Sequence, residues 1–212
     1  MKRGLLVFLI LLLCLAIAGC KIKVNGSIHI DDGDRASGTQ TTINGSVYVG
    51  SNCTVRGSCR SVNGKIEVRD NSKVKDLQTV NGSIELERDV MVRGNVESVN
   101  GDVLVDIGSQ IDGRVATVNG DIDLRRALVE RDLQTYNGDI SLSDSSCVKG
   151  DIIVKRGKGN TTRRRRIRIE IQEGSVVEGD ILVKDRDIDV RVFLATGGEV
   201  LGRVKGAEVI EE

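Results

Sequence analysis

One phrase of apolar and polar positions recurs along the chain: apolar, Asn, Gly, any residue, Ile or Val, any residue, apolar. It reads VNGSIHI at Val24–Ile30, INGSVYV at Ile43–Val49 and VNGKIEV at Val62–Val68. It continues as VNGSIEL at Val80–Leu86, VNGDVLV at Val99–Val105, VNGDIDL at Val118–Leu124 and YNGDISL at Tyr136–Leu142. Asn25, Asn44, Asn63, Asn81, Asn100, Asn119 and Asn137 stand 18 or 19 residues apart. So steady a period is the mark of a repeat architecture. The alternation after each Gly predicts a short strand with one buried face, and Glu67, Glu85 and Asp123 fall on the outward side. A second aliphatic follows at Val55, Val74, Val92, Ile111 and Val129. A third small or aliphatic residue follows at Cys59, Leu77, Val96, Val115 and Leu133. Each repeat thus predicts about three short strands and three bends.

Two architectures use this pattern. In a parallel β-helix, or β-solenoid, each repeat is one coil, and the Asn residues form a column whose amides bond from rung to rung. In an antiparallel meander each Asn-Gly is a hairpin turn. Stacked coils require equal spacing and hairpins do not, so the expected fold is an all-β solenoid with a triangular cross-section. Asn and Gly are expected at the bend because both tolerate positive φ. A lipid-embedded barrel would need strands of about 9–11 residues and aromatic girdles.

The first 19 residues form a separate unit. Lys2 and Arg3 precede an apolar run from Leu5 to Ala18. The run is short of the roughly 20 apolar residues of a membrane span and fits a signal helix. It ends in Ile17-Ala18-Gly19-Cys20, which resembles the lipobox of bacterial lipoproteins. The resemblance implies cleavage before Cys20 and acylation of Cys20. Two or more acyl chains give stable membrane anchoring. Lys21 follows where an Asp would favour inner-membrane retention, so an outer-membrane address is expected in a Gram-negative cell. Only Lys21, Ile22 and Lys23 separate Cys20 from the first repeat, which would hold the first coil close to the bilayer. Residues 20–143 are read as the regular solenoid. Residues 144–212 are read as irregular coils with a basic insertion and a cap, because Cys147–Val154, Val177–Val183 and Val200–Val204 echo the repeat.

Composition sharpens this picture. Aromatics are 2% of the 212 residues, and there is no Pro or Trp. Such a core is filled by Val, Ile and Leu, as thin regular layers require. Lys and Arg total 31 and Asp and Glu total 31, which excludes a general nucleic-acid binder. Removing the signal takes Lys2 and Arg3 and leaves a side-chain charge of −2.

The repeats resemble adhesin-type β-strand-repeat domains and the bactofilins, which are polymer-forming proteins. The resemblance covers Val24 to Val204. It implies a right-handed triangular β-helix and, for bactofilins, end-to-end stacking of coils. The export signal departs from the cytoplasmic bactofilin pattern. Neither group implies a catalytic residue.

Candidate chemistry is sparse. His29, the single histidine, occupies an outward strand position, which favours a surface residue over a hydrolase or metal site. Asp31, Asp32 and Asp34 lack the spacing of an EF-hand loop and read as a solvated turn. No cofactor or metal is expected. In an exported chain Cys53 and Cys59 could be reduced or bridged, and Cys147 has no evident partner. The densest charge lies at Lys155–Arg168, where Arg163, Arg164, Arg165, Arg166 and Arg168 form a candidate anion site. The expected role is a structural, adhesive or self-associating part of the cell envelope. The alternatives are a binding module for acidic glycan or lipopolysaccharide through the basic loop and, more remotely, a carbohydrate-active β-helix enzyme. Expected partners are the membrane, through Cys20, and a second copy; nucleic acid is not expected.

Overall fold

The computed structural model describes residues 21–156, 165–185, 187–195 and 197–211. They form a parallel β-solenoid with three faces, two of ten strands and one of nine. The first face begins with Lys21–Asn25 and repeats through Gln40–Asn44, Cys59–Asn63 and Leu77–Asn81. The second begins with Ile28–Ile30 and the third with Arg35–Ala36. Leu77 pairs in parallel with Cys59 in the coil before and Val96 in the coil after. The Asn-Gly bend therefore turns the corner between two faces and does not reverse the chain, which removes the meander.

Burial follows the alternation. Ile28, Val47, Ile66, Ile84, Val103, Ile122, Ile140, Ile169 and Val192 form one inward column, each exposed by 1% or less. Stacking like on like suits β-branched aliphatics, which pack well on a pleated surface. Burying each such side chain contributes about 1.5–3 kcal/mol, so this column is a large share of the core.

Side chains also bond coil to coil. The hydroxyls of Thr42, Ser61, Thr79 and Ser98 donate inside the first corner to the carbonyls of Gly26, Gly45, Gly64 and Gly82. Buried Ser72 accepts from the Cys53 N–H at 3.0 Å and donates to the Gly50 carbonyl at 2.8 Å. These bonds satisfy polar groups that burial would otherwise penalise.

The positive φ expected at the Asn-Gly corner explains its glycine in only part of the repeats. None of the seven repeat Asn residues has positive φ. A Cβ on Gly64 would lie 2.1 Å from the Gly45 carbonyl oxygen, so close approach of successive coils demands glycine there. Gly26, Gly101 and Gly120 at that corner do have positive φ, but positive φ recurs in every coil only at the corner after the second face: Gly33, Asn52, Asn71, Asp89, Gly108, Arg126, Ser145, Gly174 and Gly197.

The same three faces continue past residue 143. The step from Ile140 to Ile169 spans 29 residues, and the parallel register is kept across it. At the first edge, Lys21 and Lys23 occupy the positions that pair with buried Gln40 and Thr42. Charge at an inward edge position is a known defence against strand addition. At the other edge Val209 continues the inward column but is 42% exposed, and Leu201 is 60% exposed.

Candidate functional site

The seven repeat Asn residues form the predicted column. Asn44 Nδ2 donates to Asn25 Oδ1 at 3.0 Å, and Asn63, Asn81, Asn100 and Asn119 each donate to the Asn before at 2.8–2.9 Å. Asn137 ends the series at 3.4 Å from Asn119. The ladder is exposed, but its amides are spent on each other.

Beside it runs a ridge on the outer side of the first face: Val24, Ile43, Val62, Val80, Val99, Val118 and Tyr136, one residue before each ladder Asn. Thr135 pairs with Val154, so the next coil places Lys155 after Tyr136. Lys155 Nζ lies 5.9 Å from the Tyr136 ring centroid. A neighbouring outward column runs Gln78, Glu97, Ala116 and Gln134. The small Ala116 between longer side chains leaves a groove of about 480 Å³. Val99 and Val118 lie along its floor, with Glu97, Arg114, Gln134, Tyr136 and Lys155 around them. That volume is within the usual range for small-ligand sites. Arg114 donates from Nε and Nη2 to Glu97 Oε1 at 3.0 and 2.5 Å. Burial, and then Arg114 and Lys184, hold the Lys155 ammonium below its ordinary range.

Of the basic cluster, Arg165, Arg166 and Arg168 are described, and each lies beside an acid. Arg165 donates to Asp185 Oδ2 at 3.0 Å and to the Tyr136 carbonyl at 3.2 Å. Arg168 is ion-paired with Glu170 and lies 4.1 Å over the Phe193 ring. Arg166 is highly exposed, with Asp189 at 3.9 Å. Arg163 and Arg164 lie outside the described residues, as do Ile17, Ala18, Gly19 and Cys20. Sequence reading missed the groove, because Glu97, Arg114, Tyr136 and Lys155 come from different coils. The visible signals were Tyr136 in a column of valines and Ala116 in a column of long side chains.

Of the two states left open by the sequence, the structure has Cys53 and Cys59 unbridged, and both are buried. Cys59 points inward from the first face, opposite Leu77. The Cys53 thiol instead donates to the Asp31 carbonyl at 3.1 Å. Burial pushes the Cys59 thiol up to about 12. Cys147 is partly exposed and contacts Glu178; burial, and then that carboxylate, raise its pKa. His29 is stacked on Tyr48 with ring centroids 4.8 Å apart. The Asp32 carboxylate accepts from the Ser51 N–H at 2.8 Å, a turn role. Among the described residues no His, Cys, Asp and Glu group has metal-binding geometry.

No family model, curated protein or solved structure matches the chain.

Proposed function

We propose that this is an exported lipoprotein, anchored through Cys20, whose solenoid is a structural and self-associating element of the cell envelope. The carrying observation is the asymmetry of the coil edges. Lys21 and Lys23 guard the edge nearest the anchor. Among the described residues, Glu199–Val200, Val204–Lys205 and Glu208–Glu211 are the last strands of their sheets at the far edge, with Leu201 and Val209 exposed. Unpaired strand groups beside apolar side chains are a template for another chain. Contact there between membrane-held rods would link copies while leaving their faces free for display. The likeness of the repeats to adhesin-type domains and bactofilins supports the same reading.

Light scattering and negative-stain microscopy of a non-lipidated Cys20→Ser protein test self-association. Concentration-dependent oligomers or filaments are expected, and Val209→Lys should reduce them to monomer. A protein monomeric at all attainable concentrations would overturn the self-associating role. Labelled palmitate tests the anchor: incorporation is expected in the natural chain and should be absent after Cys20→Ser.

A further inference from the structure

We infer that the groove over Ala116 is a binding site for an acidic glycan, with Tyr136 as the platform for a sugar ring and Lys155 and Arg114 as the partners of its carboxylate. The site differs in place from the Arg163–Arg168 cluster and does not depend on self-association.

Three observations meet here. The first is shape. Ala116 stands in register between Glu97 and Gln134, so one short side chain opens a recess in an otherwise full column.

The second is the mixed character of the walls. Val99, Val118 and the Tyr136 ring give apolar surface, while Gln134, Glu97 and Arg114 give donors and acceptors beside it. A pyranose has the same division, with C–H groups on its faces and hydroxyls around its rim. Aromatic rings with a polar end suit such two-sided ligands. The platform is held in place: Arg165 donates to the Tyr136 carbonyl and to Asp185, which is 5% exposed. A flat lipid surface would not enter a recess on the side of a rod.

The third is charge. Among the described residues Lys155 makes no ion pair, and its Nζ lies 5.9 Å from the Tyr136 ring centroid. Arg114 gives Glu97 two of its five N–H donors, both to one oxygen, and keeps a fork edge for a second acceptor. Lys155 is held below its ordinary range by burial and by Arg114 and Lys184, with Asp132 and Glu97 opposing. Lys155 and Arg114 against Glu97 leave the groove lining one net positive charge, which a single anion neutralises. Glu97 disfavours a densely charged ligand such as a phosphate cluster. A single carboxylate on a sugar ring, as in a uronic acid, matches both the count and the shape.

Titration calorimetry on the Cys20→Ser protein tests this with oligosaccharides of galacturonate, alginate and hyaluronan. A neutral galactose oligosaccharide, inorganic phosphate and vesicles containing anionic phospholipid serve as comparisons. At least one acidic oligosaccharide should bind, and the neutral one should bind at least about tenfold more weakly. Tyr136→Ala and Lys155→Met should each weaken binding about tenfold or more. Ala116→Leu, which fills the recess from an outward position, should abolish it, and Arg166→Ala should leave it unchanged. Circular dichroism and thermal melting confirm that each variant is folded. Failure of all three acidic oligosaccharides to bind at millimolar concentration would overturn the proposal. So would undiminished binding by folded Ala116→Leu. Equal or tighter binding of phosphate or vesicles at the same residues would reassign the site to a phosphate ligand and overturn the glycan assignment.

Discussion

The side-chain amide of Asn119 donates to the side-chain carbonyl of Asn100 at 2.9 Å, and Asn100 donates to Asn81 at the same distance. Asn100 therefore serves two coils at once. Asn25 accepts from Asn44 and starts the column. Replacing Asn100 with Ala removes two bonds and strands a donor on one side and an acceptor on the other. Because the ladder is exposed, water softens the loss, and a cost of about 1–2 kcal/mol is expected. Asn25→Ala should cost about half as much. Urea unfolding of the two variants checks the ratio.

The corner glycines separate close approach from backbone conformation. Gly64→Ala would place a methyl 2.1 Å from the Gly45 carbonyl oxygen, a clash between two backbones that stacking holds in place. We expect a loss of more than about 3 kcal/mol. At Gly33, φ is +80° and a Cβ would meet nothing within 4 Å. There Gly33→Ala should cost only the left-handed penalty of about 1–2 kcal/mol. Thermal melts of both variants test the order.

Arg126 occupies the left-handed column with φ of 44°, where Gly108 sits one coil earlier with φ of 76°. An arginine there carries the penalty of about 1–2 kcal/mol, and its nearest acid, Asp144, lies 3.9 Å away. Arg126→Gly should therefore raise stability by about 0.5–1 kcal/mol after the greater chain entropy of unfolded glycine is subtracted. Arg126→Val should lower it. Equilibrium denaturation distinguishes the two directions.

Cys59 makes stability depend on alkaline pH. Its thiol titrates at about 12 in the folded chain and at 9.0 when solvated. The raised folded value means that its stabilising contribution is complete below pH 9 and is lost as pH rises towards 12. Between these limits the unfolded chain has released a proton that the folded chain keeps. Stability should then fall by about 1.4 kcal/mol per pH unit from this group. Cys59→Val should flatten that part of the profile. Alkylation at pH 8 should leave Cys59 unmodified in the folded protein, as mass spectrometry would show.

The repeat phrase made much of the fold legible. Leu77, Val96 and Val115 recur at one phase, and that phase is the inward side of the first face. The Asn column also followed from spacing, since equal repeats place equal residues on one line. The place of the left-handed corner did not follow. At the Asn-Gly bend only Gly26, Gly101 and Gly120 among the repeat residues have positive φ, while one corner later every coil has it, at mixed residues such as Asp89 and Arg126.

The candidate site was less legible. A run of basic residues at Arg163–Arg168 drew attention because sequence displays charge without partners. Folding brought Asp185 to Arg165 and Glu170 to Arg168. It set Lys155 beside Tyr136, and both near Arg114, across three coils.

The sequence by itself determined the coil, its period, its inward residues and its Asn column. These depend on spacing along one chain and on alternation within a strand. Only the tertiary structure decided which charges are neutralised, why Gly64 must be glycine and where a groove opens. Those depend on what the neighbouring coil places within a few ångströms, and stacking makes neighbours of residues about 19 positions apart.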